Sequence, residues 1–126
     1  MSKEIINTTN APSPIGPYNQ AIATGNLLFI SGQIALKPGT SELATTDITE
    51  ETHQVMQNLK AILAEASMNF SQVVKTTIFL SDMELFGQVN EIYGKYFEGE
   101  FPARETVAVK GLPKNVNVEI SMIAAK

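Results

Sequence analysis

The run Val73-Val74-Lys75-Thr76-Thr77-Ile78-Phe79-Leu80 constrains this 126-residue chain more than any other segment. β-Branched and aromatic side chains fit a pleated surface, and a run with so little polar alternation reads as a strand buried on both faces. On its N-terminal side, Asp47 and Glu50 have the spacing of a capping box. Val55, Leu59, Ile62, Leu63 and Ala66 then recur at helical spacing, which predicts a helix over about residues 48–67. On its C-terminal side Ser81 and Glu84 repeat the capping pattern. Leu85, Val89, Ile92, Tyr93 and Tyr96 form a second apolar stripe and Gly99 supplies a stop, which predicts a helix over residues 82–97.

The remaining segments supply more strands. Residues 3–7 suit a short one, followed by Asn10-Ala11-Pro12-Ser13-Pro14-Ile15-Gly16-Pro17, whose prolines lack the ladder donor and mark an ordered loop. Ala21–Thr24 and Leu27–Ser31 read as a hairpin turned at Gly25-Asn26, with a loop at Lys37-Pro38-Gly39-Thr40. Arg104–Lys110 and Val116–Ala124 are the last strands, joined through Gly111-Leu112-Pro113-Lys114-Asn115. The order β-β-β-α-β-α-β-β predicts a single α+β domain over residues 1–126, a mixed sheet with two helices packed on one face. The other face, with Val107 and Val109 in one register or Ala108 in the other, then needs covering by another subunit.

Composition narrows the chemistry. Nine Lys+Arg against thirteen Asp+Glu give a formal charge of -4 with no basic cluster, so no nucleic-acid partner is expected. The absence of cysteine removes disulfides, thiolate nucleophiles and Cys-based zinc sites. Met1-Ser2-Lys3-Glu4-Ile5-Ile6 does not resemble a signal peptide, and no apolar run approaches the ~20 residues that span a bilayer, so the expectation is a soluble cytoplasmic protein with no membrane partner. In that setting the sequons Asn7-Thr8-Thr9 and Asn69-Phe70-Ser71 carry no glycan.

Arg104 is the only arginine, set in Phe101-Pro102-Ala103-Arg104 at the root of a strand, whereas the other eight cations are scattered lysines. A half-buried planar fork of donors needs an anionic partner, and a small carboxylate fits it two-pronged. The competing reading is a structural arginine that satisfies loop carbonyls. On the last strand Val116, Val118, Ile120 and Met122 point one way, so Asn117, Glu119 and Ser121 point the other. Glu119 is then either a solvated carboxylate or a site residue. An antiparallel pairing of residues 104–110 with 116–124 would bring it near Arg104, as part of one site or as an ion pair. Gly16-Pro17-Tyr18 and Ser31-Gly32-Gln33 end a loop and a strand, where backbone donors and a phenol can face a ligand. His53, the only histidine, lies on the polar side of the first helix and reads as surface, and no nucleotide-binding glycine pattern or catalytic triad can be assembled. Tyr93, Tyr96 and Phe97 read as core.

Taken together, Gly16-Pro17-Tyr18-Asn19-Gln20-Ala21, Ile30-Ser31-Gly32-Gln33, Asn58-Leu59-Lys60, Val74-Lys75-Thr76-Thr77, Tyr93 with Phe97, Pro102-Ala103-Arg104 and Val118-Glu119-Ile120 resemble the reactive-intermediate deaminase A family, also called the YjgF-type or endoribonuclease L-PSP family, over nearly the whole chain. The resemblance implies a chorismate-mutase-like fold and a homotrimer whose sheets form a central barrel with clefts between subunits. It also implies cofactor-free hydrolysis of enamines and imines such as 2-aminoacrylate and 2-iminopropanoate to 2-oxo acids and ammonia. By resemblance Arg104 clamps the substrate carboxylate and Glu119 positions or activates water. Tyr18, Ser31 and Asn90 line the pocket, and backbone groups around Gly32 and Thr106 bond the ligand. Thr106 stands where some members have cysteine, so no thiol-dependent role carries over. Two rival functions remain: a regulatory module that binds a small carboxylate without turnover, and a ribonuclease or translation inhibitor, against which the acidic charge speaks.

Overall fold

The computed structural model describes residues 2–126. Asp47 is extended and its carboxylate accepts the Glu50 N–H at 2.8 Å, which starts helix α1 (Ile48–Glu65) where the capping pattern places it. The helix ends through Ser67 at φ +59°, with the Ser67 N–H donating to the Ala64 carbonyl and the Met68 N–H to Leu63, both at 2.9 Å. Val55, Leu59, Ile62 and Leu63 are fully buried on the stripe read from sequence.

The second cap sits one residue later than expected. The Asp82 carboxylate, not Ser81, accepts the Glu84 N–H, and a 3₁₀ turn at Met83–Leu85 precedes helix α2 (Phe86–Gly94). Ser81 Oγ donates instead to Asn117 Oδ1 at 3.0 Å. α2 also stops short of residue 97. Beyond it Tyr96 meets His53 and Phe70 edge-on, and Phe97 meets Phe70 and Tyr93, so the end of the predicted stripe packs from outside the helix.

The strands are β1 (Glu4–Ile6), β2 (Ala21–Thr24), β3 (Leu27–Gln33), β4 (Val73–Leu80), β5 (Ala103–Ala108) and β6 (Val118–Ala125), in the sheet order β1-β2-β3-β6-β4-β5. The expected antiparallel pairing of the last two strands does not form. β6 lies between β3 and β4, antiparallel to both, while β5 lies at the edge, parallel to β4. Parallel neighbours need a crossover connection, and α2 supplies it between β4 and β5. Central placement suits β6, whose Val118, Ile120, Met122 and Ala124 are all buried against the helices. Burying the valine, isoleucine and methionine side chains stabilises by about 1.5–3 kcal/mol each, which an edge position would forfeit in part.

β4 is buried on one face only. Thr76, Ile78 and Leu80 face the helical layer, whereas Lys75, Thr77 and Phe79 are half-buried and Val74 is exposed. That open face also carries Phe29 (43% exposed) and Val107 (46%), with a Lys75–Glu105 ion pair of 2.7 Å among them. The Val107 register is therefore the one adopted, opposite Phe79.

Candidate functional site

Arg104 stands opposite Thr76, a residue of the helix-facing row, so its side chain runs toward α2. Its guanidinium donates to Asn90 Oδ1 at 2.6 Å and lies 5.5 Å from the Phe86 ring centre and 5.3 Å from that of Tyr93. Two aromatic faces and one amide hold the fork in place. Beneath it Tyr93 Oη donates to Thr76 Oγ1 at 3.1 Å. Burial pushes the Tyr93 phenol up, against the opposing pull of Thr76 and the Arg104 charge. Asn90 is the hydrogen-bond partner of Arg104 among the described residues, and the guanidinium opens onto a cleft of about 430 Å³ lined by Asn90, Tyr93, Gly94, Phe101 and Pro102. No loop carbonyl accepts from Arg104 among the described residues, and most of its five donors have no partner there.

Glu119 lines a second cleft, of about 370 Å³, with Tyr18, Ser31 and Gly32. β3 bulges between Ile30 and Gln33, and this brings Gly32 so close to β6 that a Cβ there would overlap the Glu119 carboxylate. Ser31 is fixed through its N–H to the Gln20 carbonyl at 2.9 Å and its Oγ to the Asn19 carbonyl at 2.7 Å. Tyr18 is exposed, and its Oη accepts the Ile15 N–H at 3.3 Å. Burial away from water raises the Glu119 carboxyl above its ordinary range. A half-buried carboxyl so perturbed can carry a proton at milder pH than a solvated one.

The structure brings Glu119, Tyr18, Ser31 and Gly32 together, and separately Arg104 and Asn90. It does not join the two groups within one chain. Arg104 is level with Thr76 and Glu119 with Phe79, three residues along the same strand, so the two side chains leave opposite faces of the sheet. No ion pair forms between them. Thr106, opposite the buried Ile78, shares the Arg104 side, and its Oγ1 is buried with no hydrogen-bond partner among the described residues. His53, read as surface, is half-buried with Nδ1 2.8 Å from Tyr96 Oη. Among the described residues no three His, Cys, Asp or Glu side chains converge as a metal site.

Three buried polar residues were missed at the sequence level. Gln20 Nε2 donates to the carbonyls of Thr8, Ala11 and Pro12 and its Oε1 accepts the Thr8 N–H, which fixes the proline-rich wall of the Glu119 cleft. Asn58 Nδ2 donates to the carbonyls of Ile34 and Leu36, both at 3.0 Å, which fixes the facing wall. Glu51 binds the chain just before Glu119. The signal lay in α1, where Glu51 and Asn58 fall on the apolar stripe with Val55, Leu59 and Ile62.

Comparison with known proteins places this geometry. The endoribonuclease L-PSP family model matches residues 8–126. A RutC family protein of Pyrococcus horikoshii is 51% identical over 124 residues, covering 98% of each chain. The 2-iminobutanoate/2-iminopropanoate deaminase of mouse is 45% identical, covering 98% of this chain and 92% of its own. A crystal structure of a Rid family protein of unknown function from Yersinia pestis superposes with a TM-score of 0.96 at 48% identity, covering 99% of this chain and all of the other. With the sheet order, the two clefts and these likenesses in agreement, the chain belongs to the RidA/YjgF family, the family of the endoribonuclease L-PSP model.

Proposed function

We propose that this protein is a 2-iminobutanoate/2-iminopropanoate deaminase that hydrolyses reactive enamine and imine acids to 2-oxo acids and ammonia without a cofactor. The observation that carries the reading is the Arg104 guanidinium, oriented by Asn90 and two rings, yet without a carboxylate partner among the described residues and facing an open cleft. A fork held in this way suits a small carboxylate. The mouse relative's name supplies the reaction class.

The site works as an intersubunit crevice of a homotrimer, with Arg104 of one copy facing Glu119 of its neighbour. Two features support this. The two side chains leave opposite sheet faces, and each cleft carries an uncovered apolar rim residue, Phe101 beside Arg104 and Ile15 beside Glu119, both 62% exposed.

In the reaction Arg104 grips the carboxylate and Glu119 holds a water over the imine carbon. Water oxygen bonds to that carbon as the C=N π pair moves to nitrogen, and Glu119 takes the water's proton and delivers a proton to nitrogen. Glu119 then relays the hydroxyl proton of the resulting carbinolamine to its nitrogen, the C–N bond breaks with its electron pair leaving on nitrogen as ammonia, and the oxygen lone pair closes the C=O of the 2-oxo acid. An imine carbon is already electrophilic, so positioning and proton transfer suffice; the latter typically contributes about 10²–10⁴-fold. A pyridoxal-phosphate dehydratase that generates 2-aminoacrylate in situ, with pyruvate formation followed with and without this protein, tests the reading. Acceleration of pyruvate release supports it; a rate equal to the spontaneous one overturns it and leaves a carboxylate-binding module.

A further inference from the structure

Glu51 is wholly buried in α1 and lines neither cleft, yet its carboxylate reaches across 66 positions of sequence to the start of β6. Oε2 accepts the Asn117 N–H at 2.7 Å and the Val118 N–H at 3.1 Å, and Oε1 accepts from Asn117 Nδ2 at 2.9 Å. These acceptors stand where a strand would otherwise supply them. β3 ends at Gln33, whose partner is Ile120, so it offers no carbonyl to the backbone ahead of that point. From the other side Ser81 holds the same residue, its N–H on the Asn117 carbonyl at 2.9 Å and its Oγ on Asn117 Oδ1 at 3.0 Å. Asn117 is thereby clamped between α1 and the end of β4, two residues ahead of Glu119.

We propose that Glu51 is a positioning residue: by fixing the backbone of Asn117 and Val118 it sets where the Glu119 carboxylate stands against Gly32. The inference rests on the reading of Glu119 as the proton carrier. Three converging donors call for acceptors alone, which a carboxylate offers on both oxygens and an amide on one only. Glu119 approaches Gly32 so closely that its place along β6 has little tolerance. A displacement on the order of 1 Å of a reacting group can cost up to about 10²-fold in rate. Arg104 lies outside this anchor, on β5, so loss of the anchor lowers kcat and leaves KM nearly unchanged.

The pair can be exchanged without losing a hydrogen bond. Asn117→Asp alone sets two carboxylates against each other and removes the side-chain donor. Adding Glu51→Gln restores it: the amide introduced at position 51 donates to the carboxylate introduced at position 117, while its oxygen accepts both backbone N–H groups. In full-length protein, N117D should lower kcat for the in situ imine by about tenfold or more at near-native KM, and E51Q/N117D should return kcat to within about threefold of wild type. Native kcat in N117D, or a double variant no faster than N117D, overturns the proposal. An N117D chain that does not fold leaves the double variant to decide, native kcat supporting the proposal and a tenfold loss overturning it. Hydrogen exchange of the Val118 amide reads the anchor without substrate: Glu51→Ala should accelerate it while amides in the middle of β4 keep their protection, and an unchanged rate overturns the anchor. Were wild-type protein not to hydrolyse the imine, the proposed function would fall and the exchange measurement would still decide the role of Glu51.

Discussion

Gly32 leaves vacant the space that the Glu119 carboxylate occupies, since a Cβ at position 32 would overlap Glu119 Oε2 and crowd its Cδ and Cγ. The requirement is for room, because the neighbouring carboxylate and not the glycine backbone sets the limit. Gly32→Ala should swing Glu119 away from the place proposed for the attacking water and lower kcat by about 10- to 100-fold in the coupled imine assay, with the far-ultraviolet circular dichroism of wild type. A full rate in that variant would remove the Gly32–Glu119 contact from the chemistry.

Arg104 has its head between two aromatic rings and one N–H on Asn90. Arg104→Ala should abolish measurable turnover while the protein stays folded. Arg104→Lys keeps the charge and should still lose about 10- to 100-fold in kcat/KM, because an ammonium cannot present two parallel donors. Steady-state kinetics on the two variants check both statements, and a lysine variant with native kinetics would show that charge alone is enough.

If each site takes Arg104 from one copy and Glu119 from its neighbour, two inactive variants should complement. In trimers mixed at random from R104A and E119Q chains, about one site in four pairs an intact arginine with an intact glutamate. Co-refolded mixtures should therefore recover about a quarter of wild-type activity, where each variant alone has almost none. A mixture no better than the average of its parts would place both groups in one chain.

The raised carboxyl of Glu119 links pH to both rate and stability. As the proposed base it must be ionised, so the ratio of wild-type to Glu119→Gln activity should fall on acidification at a pH above the ordinary carboxylate range. E119Q itself should cost about 10²–10⁴-fold in kcat with little change in ligand affinity. For stability the sign is opposite. The folded state holds this proton more tightly than the unfolded chain, so the neutral group is tolerated at low pH and its ionisation destabilises the fold as pH rises through the raised value. E119Q should consequently have the higher Tm at neutral pH, with the gain shrinking as pH falls from the raised value to the ordinary carboxylate range and absent below it; thermal melts across pH 3–8 read it.

How far the residues alone disclose the fold differs from element to element. The α1 start was legible because Asp47 makes a local hydrogen bond that any chain with that spacing can make, and the β6 alternation was legible because period two survives in every sheet. The shifted cap at Asp82 and the early end of α2 were not, since Ser81 is drawn to Asn117 and the aromatics beyond Gly94 to His53 and Phe70, all partners remote in sequence. Arg104 and Glu119 stood out by type and position, but the hairpin that would have joined them is replaced by the parallel crossover of β5 onto β4.

Residue order alone discloses what is local and periodic: eight regular elements in order, the apolar rows that bury, and one arginine and one strand carboxylate as candidates for chemistry. Tertiary structure decided which strands touch, and so that Arg104 and Glu119 leave opposite faces of one sheet. It also decided that the buried carboxylate of Glu51 completes hydrogen bonds that no strand supplies. The reason is range. Helix caps and side-chain alternation are settled within a few residues of backbone, whereas strand order and buried polar pairing depend on which distant surfaces meet and on every donor finding an acceptor once water is gone.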